Sequence, residues 1–223
     1  MEIDGARVLV AGASGGMGGA LARELADRGA RLAVSGRHPG RLAAIATATG
    51  GVALVRDLTE PTGPEQLVAQ AADALGGLDA VVCAAGVVAF GPVTELDDRV
   101  LTQLFNVNTL APIRLSRAAL GALGEGGAIV NVSAIVADMP TAGMAAYSAS
   151  KAALTAFDAA LRREARRARV HVLDVRPPHT ETGLTERPLA GEPPRLAQGR
   201  EPADIARRIV DALAADAAEA DLG

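Results

Sequence analysis

Aromatic side chains are scarce in this 223-residue sequence, which has three Phe, one Tyr and no Trp. A hydrophobic core must therefore be built from Ala, Val, Leu and Ile, and few side chains are available for stacking on nucleic-acid bases. The formal net charge of −4 at pH 7 also excludes the basic surplus typical of nucleic-acid-binding proteins. We expect no nucleic-acid partner.

Long apolar runs and cysteine pairs are also missing. No segment has the length of a membrane-spanning helix, and the acidic start Met1-Glu2-Ile3-Asp4 lacks the residue order of a signal peptide. The single Cys83 cannot form an internal disulfide, which suits a reducing compartment. The sequence therefore predicts a cytoplasmic protein with neither a membrane partner nor a metal site.

Lysine and tyrosine each occur once, as Lys151 and Tyr147, although the chain has 22 Lys and Arg residues in total. Residues four apart lie on the same face of a helix. The lysine ammonium is a compact and mobile charge, whereas the guanidinium used elsewhere in this chain is planar and rigid. The segment Tyr147-Ser148-Ala149-Ser150-Lys151 is therefore the first candidate for chemistry.

Short apolar runs alternate with helical patterns along the chain. Parallel strands that are buried on both faces have nearly continuous apolar sequences, and the helices between them form right-handed crossovers. The pattern predicts an α/β fold with a doubly wound parallel sheet (a Rossmann fold), in three layers and a single domain over 1–223. The predicted strands cover 7–11, 31–35, 52–56, 80–83, 128–132 and 170–175, and the predicted helices lie near 17–28, 39–48, 64–75, 97–121, 146–168 and 202–218.

The stretch 183–199 interrupts this alternation, because it contains Pro188, Gly191, Pro193 and Pro194. Proline disrupts a helix interior, so the stretch is predicted to be a loop. A loop of this length is either a surface connection or a mobile lid over a substrate, and we favour the lid.

A glycine-rich turn follows the first predicted strand and reads Gly12-Ala13-Ser14-Gly15-Gly16-Met17-Gly18. Glycines at such a position allow a tight turn and the close approach of a pyrophosphate. The helix that follows supplies free N–H groups and the positive end of its dipole. The turn therefore predicts a dinucleotide site.

The end of the second predicted strand indicates which dinucleotide is bound. An NAD site has a carboxylate there for the ribose 2′-hydroxyl, whereas this sequence reads Ser35-Gly36-Arg37-His38. Arg37 can pair with a 2′-phosphate, so we predict NADP(H). Asp57 is a candidate for the adenine amino group or for an Asx turn before Thr59. The small residues Ala84-Ala85-Gly86 would allow the backbone to lie against a ribose.

In this order and spacing, the motifs resemble those of the short-chain dehydrogenase/reductase family over nearly the whole chain. The matching elements are the turn over 12–18, Asp57-Leu58, Ala84-Ala85-Gly86, Asn108, Tyr147-x-x-x-Lys151, and Pro177 followed by Thr182.

The resemblance implies that Tyr147 is the general acid/base and that Lys151 lowers the pKa of its phenol and binds the nicotinamide ribose. It also implies that Asn108 holds a water molecule linking Lys151 to solvent; the alternative is a polar Asn on a helix surface. The stretch resembling the part of the family that binds the nicotinamide carboxamide contains Pro177, Thr180 and Thr182.

One departure from the family pattern affects the chemistry directly. The position of the family's catalytic Ser is Ala134, and Ser133 comes one residue early. Successive side chains of a strand point to opposite faces, so either a bulge turns Ser133 inward or the hydroxyl that polarises the carbonyl is missing. The substitutes are Thr141, His179 or a hydroxyl of the substrate.

The resemblance implies an NADP(H)-dependent oxidoreductase that reduces a ketone or aldehyde to an alcohol, or catalyses the reverse. The aliphatic surroundings indicate an apolar small-molecule substrate. Because of Ala134, two alternatives stay open. The first is an epimerase- or dehydratase-type reaction, and the second is a non-catalytic NADP-binding sensor or scaffold.

Two helices carry Ala-rich faces, near 97–121 and 146–168, and favour a homodimer. Members of the family commonly add a further strand that is used in tetramer packing. Since the sequence stops at Ala220-Asp221-Leu222-Gly223, we expect no tetramer of that kind.

Overall fold

The strands β1 (Arg7–Ala11), β2 (Arg31–Gly36), β3 (Val52–Val55), β4 (Ala80–Cys83), β5 (Ala128–Val132) and β6 (His171–Val175) form the centre of the computed structural model, which describes residues 1–217, Ala220 and Leu222. They form one parallel sheet in the order β3-β2-β1-β4-β5-β6. This is the doubly wound order of a Rossmann fold, so the predicted fold class is confirmed. Each predicted strand agrees with the structure to within one residue at either end.

Seven α-helices among the described residues cover the sheet: α1 (Gly16–Asp27), α2 (Pro39–Thr49), α3 (Gly63–Leu75), α4 (Asp98–Phe105), α5 (Ala111–Ala122), α6 (Ala145–Ala165) and α7 (Pro202–Ala214). Side chains of β1 alternate between two cores. Val8 and Val10 pack with α1 and α7, whereas Leu9 packs with α3 and α5 on the opposite face. The result is the predicted arrangement in three layers.

The helix predicted near 97–121 is confirmed, and within it a π-helical turn at Asn106–Leu110 separates α4 from α5. Because Leu110 before α5 is also helical, Pro112 lies inside a continuous helix, where it has no N–H to donate to the preceding turn. Such π turns insert one residue into a helix and are frequent at functional sites. This one carries Asn108, which is fully buried.

The predicted helix over 202–218 ends earlier, since α7 stops at Ala214. Its last predicted residue, Ala218, lies outside the described residues, as do Asp221 and Gly223 of the chain end. The expectation of no tetramer therefore stays a prediction. In the part of the chain that the structure describes, no helix combines the length and the apolar character needed to cross a membrane.

Candidate active site

A cavity of about 580 Å³ opens at the carboxyl ends of the strands, next to the point where the strand order reverses between β1 and β4. Ligands of doubly wound folds bind at this point. The cavity brings together most of the residues predicted from the sequence: Gly12, Ser14, Gly15, Gly16, Met17, Arg37, Asp57, Leu58, Ala84, Ala85, Gly86, Tyr147, Lys151, Pro177, Thr180 and Thr182. Gly18 lies inside α1 and Asn108 behind the wall.

The glycine turn packs directly against the loop after β4. Gly12 has a φ of 85°, and a Cβ atom there would lie 2.5 Å from the backbone nitrogen of Ala85, so only glycine fits. Helix α1 then begins at Gly16 with Gly15 as its N-cap, and no side chain caps it. Its first N–H groups are therefore available to an anion, as a dinucleotide pyrophosphate requires.

Two arginines line the adenosine end of the cavity, Arg37 after β2 and Arg41 in the first turn of α2. Ser35 on β2 also lines the cavity, and its buried hydroxyl has no hydrogen-bond partner among the described residues. Two guanidinium groups at one end of a cavity fit a phosphate monoester. The end of β2 thus suits the 2′-phosphate of NADP(H).

Asp57 makes the Asx turn that the sequence left open. Its Oδ1 accepts hydrogen bonds from the backbone N–H of Thr59 (2.9 Å) and from the Thr59 hydroxyl (2.8 Å). Burial opposes ionisation, but these bonds and the charge of Arg37 outweigh it and lower the pKa of Asp57. Because only Oδ1 is used, an ionised Oδ2 is left as an acceptor for an adenine amino group.

Tyr147 and Lys151 stand on α6 at the inner end of the cavity, exposed by only 7% and 4%. The Lys151 ammonium donates a 2.8 Å hydrogen bond to the main-chain oxygen of Val132, and burial lowers its pKa to about 8. Burial raises the pKa of the Tyr147 phenol to about 12. The expected lowering of the phenol pKa is therefore wrong for this state of the protein, because desolvation of the phenolate dominates.

The Asn108 side chain connects three elements. Its Oδ1 accepts from the N–H of Val87, and its Nδ2 donates to the oxygen of Val87 and to the Ser150 hydroxyl, all within 3.0 Å. Ser150 in turn donates to the main-chain oxygen of Tyr147 at 2.7 Å. Asn108 is therefore buried, not on the helix surface, and it fixes the loop after β4 to the helix of Tyr147.

The catalytic-serine position holds a methyl group next to the phenol, because Ala134 packs in one apolar cluster with Tyr147. The Ser133 hydroxyl points instead at β6, where its single proton is donated to Asp174 Oδ1 at 2.5 Å and the oxygen of Val175 lies 3.1 Å away. The Ser133 backbone N–H also bonds to Val175, which continues the β5–β6 ladder without a bulge. Of the two alternatives from the sequence, the structure favours the missing hydroxyl.

The loop after β6 forms a wall of the cavity next to the glycine turn. The Thr180 hydroxyl donates to the oxygen of Pro178 at 2.8 Å, so its own backbone turn already uses it. Thr182 packs against the glycine turn, where a Cβ atom on Gly16 would lie 2.5 Å from the Thr182 oxygen. This contact links the loop after β6 to the start of α1.

The substrate end of the cavity is mainly aliphatic. Leu184, Leu189 and Leu196 from the segment 183–199 face side chains from the rest of the molecule there, namely Val88, Ile135, Val136 and Met144. The two side chains proposed as substitutes for the missing hydroxyl, Thr141 and His179, also line the cavity. The Thr141 hydroxyl donates weakly to the oxygen of Met139 (3.3 Å), and His179 Nε2 lies 3.5 Å from Glu181 Oε1.

Two buried carboxyl groups behind the site were not predicted, Asp174 on β6 and Asp158 on α6. Asp174 could have been found, because a carboxylate in the middle of an apolar strand requires a buried partner. Arg41 could also have been found, since it follows Arg37 by four residues at the start of a helix. The partner of Asp158 depends on tertiary packing, and no local pattern indicates it.

Asp158 is fully buried and accepts a 2.7 Å hydrogen bond from Asn131 Nδ2. The remaining oxygens of the pair, Asp158 Oδ2 and Asn131 Oδ1, are both buried without a partner in the described residues. If Asp158 is protonated at Oδ2, this group can donate a hydrogen bond to Asn131 Oδ1. Burial, opposed by the Asn131 bond, raises the pKa of Asp158 to about 7.

Replacing Asp158 by Asn is expected to raise the free energy of unfolding by about 1–3 kcal/mol above pH 7, because the amide nitrogen would replace the orphaned Oδ2 and donate to the orphaned Oδ1 of Asn131. The folded-state pKa is raised, so the wild type loses stability as pH rises between about 3.8 and about 7. Urea unfolding at pH about 5 and about 8.5 measures the difference. Asp158→Ala is the control, expected to be less stable at both values; an unchanged pH dependence in Asp158→Asn would contradict the assignment.

Comparison with known proteins agrees with this geometry. The short chain dehydrogenase family matches residues 6–192. An uncharacterized oxidoreductase of Methylorubrum extorquens is 34% identical over 96% of this chain and 92% of its own length. The 3-oxoacyl-[acyl-carrier-protein] reductase of Vibrio harveyi is 31% identical over 83% and 78%. A short-chain dehydrogenase from Burkholderia cenocepacia, solved in complex with NADP, superposes with a TM-score of 0.89 at 30% identity, over 100% of this chain and 99% of that one. This chain is therefore a member of the short-chain dehydrogenase/reductase family of oxidoreductases.

Proposed function

We propose that the protein is an NADP(H)-dependent oxidoreductase that interconverts an apolar ketone or aldehyde with its alcohol. The observation that carries this proposal is the shared cavity of the glycine turn, Arg37 and the buried pair Tyr147 and Lys151. The NADP complex of the Burkholderia relative supports the choice of cofactor.

The chain's own groups suit the reductive direction. When bound, NADPH supplies the hydride. The phenol of Tyr147 is held protonated by burial and donates its proton to the carbonyl oxygen. Lys151 stands one turn further along the same face of α6, and its lowered pKa makes it the group that returns a proton to the phenolate. Aliphatic side chains around the substrate end exclude water from this exchange.

Replacing Arg37 by Asp is expected to weaken NADPH binding by about 10²-fold, because a charge-assisted hydrogen bond is lost and a like charge faces the 2′-phosphate. NADH binding is expected to improve or stay unchanged. Fluorescence titration with both cofactors measures the ratio. Arg31→Asp, an exposed charge change at the opposite end of β2, is the control. Unchanged NADPH affinity in Arg37→Asp would overturn the assignment.

A second candidate function follows from the position of the hydroxyl groups. Ala134 offers no donor beside Tyr147, and Asp174 holds the Ser133 hydroxyl. A chain with this site can bind NADP(H) tightly without turnover and act as a sensor or scaffold. An epimerase- or dehydratase-type reaction also stays open.

The test of the proposed function is NADPH oxidation by the purified protein against a broad panel of apolar ketones and aldehydes. Turnover of at least one carbonyl is the expected result. Tight NADPH binding without turnover of any carbonyl would favour the sensor instead.

We infer the cytoplasm as the compartment, from the single buried Cys83. The expected partners are a small-molecule substrate and a second copy of the chain, but neither nucleic acid nor a membrane. The negative net charge and the small number of aromatic residues support the exclusion of nucleic acid.

A further inference from the structure

The segment 183–199 begins directly against the anion-binding end of α1. Thr182, the residue before it, lies so close to Gly16 that any side chain on Gly16 would collide with its backbone. Gly16 is the first residue of α1, whose N–H groups no side chain caps. The segment therefore starts within a few ångströms of the place where the diphosphate of a dinucleotide is bound in this fold.

Arg187 is held over that start by its own turn. Its Nε donates a 3.0 Å hydrogen bond to the oxygen of Gly183, and its backbone N–H bonds to Leu184. Gly183 has a φ of 68°, which lets the chain fold back tightly enough for this contact. The Arg187 side chain lines the cavity although it is exposed.

The terminal nitrogens of Arg187 carry four N–H donors, and the turn uses only Nε. Arg187 makes no ion pair with any carboxylate in the described chain, unlike Arg7, Arg28 and Arg176. A guanidinium of this kind presents paired donors that match two oxygens of one anion.

We propose that Arg187 binds the diphosphate of the dinucleotide and so fastens the segment 183–199 over the bound cofactor. The inference rests on the proposed NADP(H) function. The two anionic groups of the cofactor are then bound by different arginines. Arg187 binds the diphosphate, whereas Arg37 and Arg41 lie at the end of the cavity for the 2′-phosphate. The glycine turn itself offers only neutral N–H groups, and the first turn of α1 carries no charged residue.

An anionic group on the substrate is the other source of the same chemistry. The cofactor diphosphate and an anionic substrate group can be distinguished by the binding constant that a substitution of Arg187 changes. A diphosphate contact changes the affinity for the cofactor alone, whereas a substrate contact changes the KM for an anionic carbonyl and leaves cofactor binding untouched.

The experiment measures dissociation constants of Arg187→Gln and the wild type for three probes. NADPH and 2′-phospho-ADP-ribose both contain the diphosphate, whereas adenosine 2′-monophosphate has no phosphate at its 5′ position. We expect Arg187→Gln to weaken the first two by about 10-fold or more and to leave the third unchanged, because one charge-assisted contact is removed. Arg195→Gln is the matched control, an equal charge change at an exposed position of the same segment.

The outcomes separate this inference from the function on which it rests. If the wild type binds NADPH and Arg187→Gln binds it equally well, the diphosphate contact is disproved and the proposed function stands. A higher KM for an anionic carbonyl with unchanged cofactor affinity disproves it in favour of the substrate. If the wild type binds none of the probes, both the diphosphate contact and the proposed NADP(H) function are disproved. Thermal unfolding checks that the exposed substitution leaves the fold intact.

Discussion

Replacing Tyr147 by Phe is expected to lower kcat for NADPH-dependent carbonyl reduction by about 10²–10⁴-fold, while the dissociation constant of NADPH stays nearly constant. The substitution removes one oxygen from a ring that is otherwise buried among Val88, Leu104 and Ala134. Ser150 bonds to the main-chain oxygen of Tyr147, so the contact that fixes this turn of α6 is kept. The effect should therefore fall on proton transfer alone.

Steady-state kinetics with a carbonyl found in the panel, together with fluorescence titration of NADPH, measure the two quantities. The pH dependence gives a further check. Since burial raises the pKa of Tyr147 to about 12, reduction by the wild type is not expected to fall as the phenol titrates anywhere below about pH 11. Turnover retained in Tyr147→Phe would place the proton donor elsewhere, and His179 on the opposite wall would be the next residue to replace.

Replacing Ala134 by Ser is expected to raise kcat by on the order of 10²-fold, because it adds a hydroxyl donor beside the phenol where a developing oxyanion has none. The backbone at Ala134 is extended, with a φ of −170°, which serine adopts without strain. Ala134 lines the cavity and is 9% exposed, so an added hydroxyl has the cavity beside it.

Ser133→Ala is the matched control for this prediction. Its hydroxyl is bound to Asp174, so its loss is expected to leave kcat unchanged and to lower the free energy of unfolding by about 1–3 kcal/mol, the cost of an unpaired buried acceptor. A fall in kcat for Ser133→Ala, or no gain for Ala134→Ser, would show that the carbonyl is polarised by another group.

Much of the fold follows from local sequence patterns. The strands are mostly apolar on both faces, and this is visible in residues such as Val8, Leu9 and Val10 without any structure. The cofactor residues are equally local, because the glycine turn and Arg37 each follow directly after a strand. Parallel strands place such positions at one edge of the sheet, so their meeting in one cavity could be expected.

Other features depend on contacts between distant parts of the chain. The sequence shows that Ser133 and Ala134 point in opposite directions, but only the structure shows Asp174 holding the serine. The π turn in the helix over 97–121 has no proline or glycine of its own to indicate it. Only the structure shows the hydrogen bonds that Asn108 in this turn makes to Val87 and Ser150. The raised pKa of Tyr147 could not be predicted, because the spacing of Tyr147 and Lys151 does not show how deeply the phenol is buried.

The π turn at Asn106–Leu110 also restricts how this region can change in length. A π turn accommodates one residue more than regular α-helix does, so the loss of one residue here would convert the turn to α-helix and keep α4 and α5 nearly in place. The side chains within the turn would then change direction, and Asn108 would lose its bonds to Val87 and Ser150. The stretch should therefore accept substitutions far more readily than insertions or deletions, and an alignment gap placed inside it signals a different active-site wall.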